Sequence, residues 1–203
     1  MFEQPEVIVE AVREMVDGYL EQKVISFNKA CKADTNLLKQ WFQKPHVQKF
    51  WDNSPEMWQN VESYLNGHKV LYDYWIGSLA GQPFCLVITS DASDDDSETD
   101  SAAPGSDNSL QEYCEPHGKT WTVDFMIGEE AFLGKGLSYL ALKAFMQQQK
   151  DIVAFLIDPE ATNTKAIHVY EKAGFKEVGR YTPGTGSFAG KEHLMMKRRM
   201  KSD

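Results

Sequence analysis

Between residues 70 and 118 the sequence has no lysine or arginine, although ten aspartates and glutamates lie there. The other 20 acidic residues nearly balance the chain's 21 basic ones, so the formal net charge of −9 comes from this one stretch. A basic stripe of the kind that nucleic-acid-binding proteins carry is missing, and we expect no nucleic-acid partner. The acidic stretch is compatible with attraction of a cation, and for residues 91–108 a solvated loop that serves only solubility is an equal explanation.

Cysteines and long apolar runs are also scarce. Cys31, Cys85 and Cys114 are far apart and form no Cys-x-x-Cys pair, and no histidine lies at metal-ligand spacing from them, so we expect reduced thiols and no metal site. No apolar run approaches membrane-spanning length, and the N-terminus lacks the basic and apolar regions of a signal peptide. These features predict a cytoplasmic protein without a membrane partner.

The length of 203 residues predicts one core with appendages. Apolar residues of segment 5–22 recur on one helical face, which predicts an amphipathic extension over residues 1–22 that packs on its own domain or on a second protomer. Residues 23–203 form the predicted domain, whether as a monomer or a homodimer, and contain a low-complexity insert at 91–108 that we expect to be flexible.

Alternating and continuous apolar patterns predict the remaining elements. Strands are expected at residues 23–30, 72–79, 84–89, 120–128, 152–157, 175–181 and 193–200, and helices at 34–43, 54–66, 136–149 and 163–173. The order strand, helix, strand, helix between residues 120 and 174 implies a parallel strand pair with a right-handed crossover. The fold class is therefore a mixed α/β sheet flanked by helices.

The turn between strand 120–128 and the next helix contains Gly134 and Gly136. Glycines let successive N–H groups point at one spot, and a helix start adds its free amides and the positive end of its dipole. The loop Leu133, Gly134, Lys135, Gly136, Leu137 and Ser138 is thus a candidate anion site. Two such glycines alone are weak evidence, because many strand-to-helix turns contain them.

A second motif follows about twenty residues later: Asn163, Ala166, Tyr170, Gly174 and Phe175, in the pattern Asn-x-x-Ala-x-x-x-Tyr-x-x-x-Gly-Phe. With the glycine loop upstream, the chain resembles the GNAT superfamily of acetyl-CoA-dependent N-acetyltransferases over roughly residues 23–200. Leu133 and Ser138 depart from the family's loop pattern at its first and last positions. Backbone amides do most of the phosphate binding, so we expect cofactor binding to survive.

Within that superfamily the chain looks most like aminoglycoside 6′-N-acetyltransferases. The stretches that carry this likeness are Trp41-(x)3-Pro45-His46-Val47-(x)3-Trp51, Asp124 before Gly128, the glycine loop and Asp158-Pro159. Siderophore-pathway amine acyltransferases share the Trp and Pro-His pattern.

The resemblance implies a GNAT fold with a central splayed parallel pair and acetyl-CoA as co-substrate. The implied cofactor contacts are the backbone of Met126, Ile127 and Gly128, the loop residues 133–138, and Asn163, Ala166 and Tyr170. An equally good account of Asn163 is a helix N-cap.

Asp124 is the candidate base, because an ammonium must lose a proton before it can attack a thioester. Tyr170 is the candidate acid or hydrogen-bond donor for the departing thiolate. Asp158 is a candidate contact for the substrate ammonium or, with equal weight, a turn residue before Pro159. Trp75, with its neighbour Tyr74, is a candidate wall of the acceptor pocket.

These residues predict acetyl transfer to a primary amine of a cationic small molecule, with an aminoglycoside 6′-amine preferred. The alternatives are acyl transfer to a siderophore precursor or polyamine-like amine, and a non-catalytic GNAT-fold sensor of acetyl-CoA.

Overall fold

A computed structural model describes residues 25–93 and 110–200. Within these two ranges, seven strands form one sheet in the order β1-β2-β3-β4-β5-β7-β6. The strands are β1 (Ile25–Lys29), β2 (Asp73–Leu79), β3 (Gln82–Asp91), β4 (Lys119–Ile127), β5 (Ile152–Ile157), β6 (Lys176–Tyr181) and β7 (His193–Arg199). The predicted helix at 5–22 and most of the insert at 91–108 lie outside the described residues.

In the described part of the chain, five α-helices flank the sheet: α1 (Thr35–Phe42), α2 (Pro45–Gln48), α3 (Pro55–Leu65), α4 (Leu137–Gln148) and α5 (Thr164–Lys172). Single 3-10 turns occur at Lys32–Asp34, Leu110–Tyr113 and Glu130–Phe132. Ser54 caps α3 by accepting a hydrogen bond from the Met57 amide at 3.1 Å, and Pro55 fills the first helical position. No helix of the described residues is long and apolar enough to cross a membrane.

The strands and helices predicted within the described residues are confirmed, with ends shifted by at most two residues. The connection between β2 and β3 is shorter than the gap between the predicted strands 72–79 and 84–89. Its turn is Ala80-Gly81, with φ values of 50° and 82°, and Pro83 belongs to β3 beside a register shift at Gly77/Ser78. A two-residue turn with two positive φ angles matches the twist of the flanking strands.

Each face of the sheet buries its own core. One core packs α4 and α5 against side chains such as Val87, Phe125 and Phe155. The other packs α1, α2 and α3 against side chains such as Leu86 and Met126. Successive strand residues point to opposite faces, so β4 contributes alternately to the two cores.

The parallel pair β4–β5 separates before β4 ends. The strands are in register from Lys119/Ile152 to Thr122/Leu156, whereas β4 continues to Ile127. Among the described residues, the last five residues of β4 have no strand partner on the side of β5. The predicted mixed sheet with a splayed central pair is therefore confirmed, and the split opens at the carboxyl ends of both strands.

Gly128 marks the end of β4 and lies against an indole ring. A Cβ added there would lie 2.1 Å from Cδ2 of Trp41, whose exposed fraction is 0%. We expect Gly128→Ala to lower the free energy of unfolding by about 1–3 kcal/mol, because a rigid buried ring must move. Urea denaturation measures the difference. Gly184→Ala is the control, since its Cβ would have no atom within 4 Å, and equal losses in the two variants would contradict the explanation.

Candidate active site

Asp124 and Asp158, the carboxylate pair, come together at the split between β4 and β5. Asp124 lies two residues beyond Thr122, where the pairing with β5 ends, and Asp158 directly follows β5. The Asp158 side chain is 37% exposed, and Asp124 is half-buried. Both carboxylates therefore stand at the open, carboxyl-terminal edge of the sheet, where α/β proteins bind ligands.

The two carboxylates differ in charge environment. Burial raises the pKa of Asp124 to about 7, and the charge of Asp158 adds to the rise. Burial also raises the pKa of Asp158, while a hydrogen bond from Tyr181 and the neighbouring His193 oppose that rise. Two like charges at one site do not ionise independently, and the hydrogen bond from Tyr181 favours the charge on Asp158 over the charge on Asp124.

Tyrosines flank the carboxylate pair on the face of α1–α3. Tyr74, Ile88 and Asp124 form one row across β2, β3 and β4. Burial, followed by the charges of Asp124 and Asp158, raises the pKa of the half-buried Tyr72. Tyr72 thus supplies aromatic surface and a hydroxyl beside two acidic groups, an arrangement suited to a cation. Tyr74 is only 2% exposed, and its ring packs against that of Tyr64.

Tyr170 reaches the same charges from α5. Its ring is 7% exposed and packs with that of Phe175, the ring centroids lying 6.2 Å apart. Burial raises the pKa of Tyr170, and the charges of Asp124 and Asp158 raise it further. The phenol is therefore a hydrogen-bond donor at neutral pH.

The glycine loop before α4 has the geometry of an anion site. Gly134 and Gly136 have φ values of 70° and 73°, and a Cβ at either position would have no atom within 4 Å. Gly136 is the N-cap of the 12-residue helix α4, whose first amides have no acceptor within the helix. The free amides can donate to a pyrophosphate group, and the two glycines, which have no side chain, let that anion approach the backbone.

Helices α1 and α2 support the end of β4. The Trp41 indole N–H donates to Glu129 at 2.7 Å, and Lys44 binds the other oxygen of the same carboxylate at 2.9 Å. The His46 Nε2–H donates to the Ile127 carbonyl at 2.9 Å. These three contacts fix the backbone at the point where the sheet splits.

A model of the acetyltransferase (GNAT) domain matches residues 30–182. The chain belongs to the GNAT acetyltransferases. Enzymes of this family use acetyl-CoA, whose pyrophosphate suits the loop at 133–138 and whose extended arm suits the split between β4 and β5.

Three aminoglycoside acetyltransferases are similar to the chain in sequence or in fold. The chain is 24% identical over 161 residues to an aminoglycoside N(6′)-acetyltransferase type 1 of Klebsiella pneumoniae, covering 75% of this chain and 74% of that enzyme. The crystal structure of an aminoglycoside N(6′)-acetyltransferase from Legionella pneumophila is 26% identical, with a TM-score of 0.68 and coverage of 85% and 90%. A third, aminoglycoside acetyltransferase AAC(6′)-Ib in complex with coenzyme A and kanamycin, is 22% identical, with a TM-score of 0.64 and coverage of 86% and 94%.

The GNAT fold does not bring every predicted site residue to the carboxylate pair. Trp75 lies on the opposite face of the sheet from Asp124, where its ring packs edge-on against Phe145 at 5.5 Å and its N–H donates to Thr89 at 3.1 Å. Strand alternation explains this, since Tyr74 and Trp75 are neighbours in one strand. Of the predicted pair, Tyr74 and not Trp75 lies on the same face of the sheet as Asp124.

Several predicted cofactor contacts have structural partners of their own. Asn163 caps α5, its side chain accepting from the Ala166 amide at 3.3 Å. The Met126 and Ile127 side chains are buried on opposite faces, so only their backbone is available to a ligand. The Gly128 amide donates to the Phe84 carbonyl at 2.8 Å and is therefore not free to bind a ligand. The unpaired edge of β4 consists of the residues before Gly128.

Sequence reasoning missed four residues at the site: Tyr72, Tyr181, His193 and His46. Tyr72 begins the predicted strand 72–79 and precedes the observed one by a single residue, and its two-residue spacing from Tyr74 was the available signal. Tyr181 and His193 reach Asp158 only because β7 inserts between β5 and β6, a strand order that the spacing of residues does not reveal. His46 belongs to the Pro-His motif that carries the family likeness, and that motif was the available signal.

Proposed function

We propose that this GNAT enzyme transfers the acetyl group of acetyl-CoA to a primary amine of a cationic small molecule, with an aminoglycoside 6′-amine as the preferred acceptor. The observation that carries the proposal is the carboxylate pair, Asp124 and Asp158, beside the split in the sheet. One carboxylate can hold an ammonium while the other accepts its proton.

Asp158 holds the ammonium in this mechanism, because Tyr181 and His193 favour its charged form. Asp124 accepts the proton that the ammonium must lose, directly or through a water molecule. Its pKa of about 7 lies near neutral pH, which is the favourable range for a general base. The deprotonated nitrogen then has the lone pair that attacks the thioester carbon. As the carbon–sulfur bond breaks, the nitrogen loses its second proton, which the departing thiolate would accept.

Acetyl-CoA supplies the activated acetyl group as a thioester when it is bound. The loop at 133–138 would hold its pyrophosphate through the amides before and at the start of α4. Tyr170 would donate a hydrogen bond to the sulfur as its bond to the acetyl carbon breaks. Because its raised pKa makes full proton transfer to the sulfur unfavourable, we assign Tyr170 stabilisation of the thiolate by hydrogen bonding.

The preference for an aminoglycoside is supported by charge and by similarity. An aminoglycoside carries several ammonium groups and hydroxyls, which match two carboxylates flanked by Tyr72. The enzymes from Klebsiella pneumoniae and Legionella pneumophila are named for N(6′)-acetylation of aminoglycosides. The chain's acidic stretch, residues 70–118, would attract the same class of cation over a longer range.

The test is a CoA-release assay with a panel of amines: kanamycin, spermidine and hydroxylysine, each titrated against a fixed acetyl-CoA concentration. We expect the highest kcat/KM for kanamycin, and NMR of the product should place the acetyl group on the 6′ nitrogen. Turnover of hydroxylysine or spermidine alone would overturn the preferred acceptor. A protein that binds CoA and acetylates no amine would overturn the enzymatic proposal.

Asp158→Asn tests the role of the second carboxylate. We expect KM for the amine to rise about tenfold or more, because an ion-paired hydrogen bond to the ammonium is lost, while the KM for acetyl-CoA stays unchanged. Steady-state kinetics with each substrate varied in turn measures both constants. Glu56→Gln, an exposed substitution on α3, serves as the control for loss of one negative charge. A change confined to the acetyl-CoA constant would contradict this role.

A further inference from the structure

The β6–β7 hairpin holds Asp158 at two points. The Tyr181 hydroxyl donates to Oδ2 of the Asp158 side chain, and the Nδ1–H of His193 donates to the Asp158 carbonyl oxygen at 2.7 Å. Tyr181 and His193 face each other across the two strands, and their ring centroids lie 5.5 Å apart. The side chain and the backbone of Asp158 are thus fixed by one pair of adjacent rings.

His193 is built into this position. Its exposed fraction is 6%, and its ring also contacts Phe188, whose centroid lies 5.4 Å away. Among the described residues, Nε2 has no hydrogen-bond partner. Because a carbonyl oxygen can only accept, the contact with Asp158 requires a proton on Nδ1 of His193.

The backbone around Asp158 is tied to the same hairpin. Leu194 donates its amide to the Pro159 carbonyl at 3.0 Å, and the Ala161 amide donates to the Glu192 carbonyl at 2.8 Å. These bonds join the segment after β5 to the first residues of β7. The hairpin therefore sets where the Asp158 carboxylate points.

We propose that Tyr181 and His193 are positioning residues that hold Asp158 charged and oriented for the acceptor ammonium, so that Asp124 is left as the base. The inference rests on the proposed function, in which Asp158 binds the ammonium. Tyr181 acts on the carboxylate through its hydroxyl, and His193 acts on the backbone through Nδ1–H. Neither residue is required to touch the acceptor.

Within the described part of the chain, the titratable side chains that interact with the carboxylate pair are four tyrosines and one histidine. Tyr72 and Tyr74 approach from β2 and the segment before it, Tyr170 from α5, and Tyr181 and His193 from the hairpin. Of these, Tyr181 is a hydrogen-bond donor to Asp158 that favours its ionised form. Removing this hydroxyl shifts charge from Asp158 towards Asp124.

Tyr181→Phe is the first test, read by carboxyl-carbon NMR titration of the protein without substrates. Signals of Asp124 and Asp158 are assigned from the Asp124→Asn and Asp158→Asn variants. We expect Asp158 to titrate at higher pH than in the wild type and Asp124 at lower pH. Arg180→Gln is the matched control on the same hairpin, since Arg180 is exposed and pairs with Glu177 and Glu192. Wild-type titrations in folded Tyr181→Phe, or equal shifts in Arg180→Gln, would overturn the proposal.

Kinetics supply the second readout. Tyr181→Phe should raise the KM for the amine about tenfold and leave the affinity for CoA unchanged. His193→Phe keeps the ring packing and loses the donor, whereas His193→Asn keeps a donor near the position of Nδ1. We expect the Phe variant to raise the amine KM and the Asn variant to restore most of the loss, and equal defects in the two would refute the role of Nδ1–H.

The two readouts separate this inference from the proposed function. Wild-type turnover of every amine by Asp124→Asn and Asp158→Asn would refute the proposed mechanism, and the NMR titration would still decide whether Tyr181 controls the charge of Asp158. Loss of activity in both Asp variants with an unaltered Tyr181→Phe enzyme would refute the inference alone.

Discussion

Asp124→Asn is expected to lower kcat/KM for the amine by about 10²–10⁴-fold, the usual contribution of a general base. Asparagine has nearly the same size and hydrogen-bonding reach as aspartate but accepts no proton near neutral pH. The affinity for acetyl-CoA should stay unchanged, because the loop at 133–138 lies beyond the end of β4. Steady-state kinetics with CoA release, together with calorimetric titration of CoA, measure both quantities.

The pH profile separates loss of a base from loss of a contact. In the wild type, kcat/KM for the amine should rise with pH up to about 7, the pKa of Asp124, since the base must be deprotonated to act. The residual activity of Asp124→Asn should lack this rise. An unchanged acidic limb in the variant would assign the limb to another group and contradict the role of Asp124.

The raised pKa of Asp124 predicts that the substitution that lowers activity raises the stability of the fold. The folded pKa of Asp124, about 7, lies above the ordinary value of 3.8, so the folded state binds more protons than the unfolded state between these limits. Stability from this group is therefore lost as pH rises through that window. We expect Asp124→Asn to be more stable than the wild type at pH 8, with the gap narrowing towards pH 4, as measured by urea denaturation. Such a gain in stability with a loss of activity would set the variant apart from one that merely disrupts the fold.

Local patterns were sufficient to predict most of the fold. The apolar run at 152–157 predicted a strand, and the bounds of β5, Ile152–Ile157, match it. The helix predicted at 54–66 matches α3 within one residue at each end, and its start is fixed by the neighbouring cap Ser54 and by Pro55 in the first turn. Short-range interactions set these features, so the sequence displays them.

The active site was predictable only in part, because long-range pairing assembles it. Asp124 and Asp158 were candidates from family likeness, and both lie at the split of the sheet. Trp75 was misplaced relative to Asp124, since which of two adjacent strand residues faces a site depends on the helices packed on each face. Tyr181 and His193 were missed because their contact with Asp158 follows from the order β5-β7-β6.

Gly136→Val is expected to weaken CoA binding by about a hundredfold, as the loss of two hydrogen bonds from amides to a charged phosphate would do. Gly136 has a φ of 73°, a conformation that valine adopts only with strain of about 1–3 kcal/mol. To relieve that strain the loop must rotate, and the amides at the start of α4 then no longer converge on one spot. Calorimetric titration with CoA measures the affinity.

Gly67→Val is the matched control for this prediction. Gly67 follows α3, has a φ of 84°, and has no atom within 4 Å of an added Cβ, just like Gly136. Both substitutions should therefore destabilise the fold by similar amounts, and only Gly136→Val should change CoA binding. Equal affinities for CoA in Gly136→Val and the wild type would show that the phosphate lies elsewhere. Parallel losses of CoA affinity in the two variants would attribute the effect to lost stability and not to the anion site.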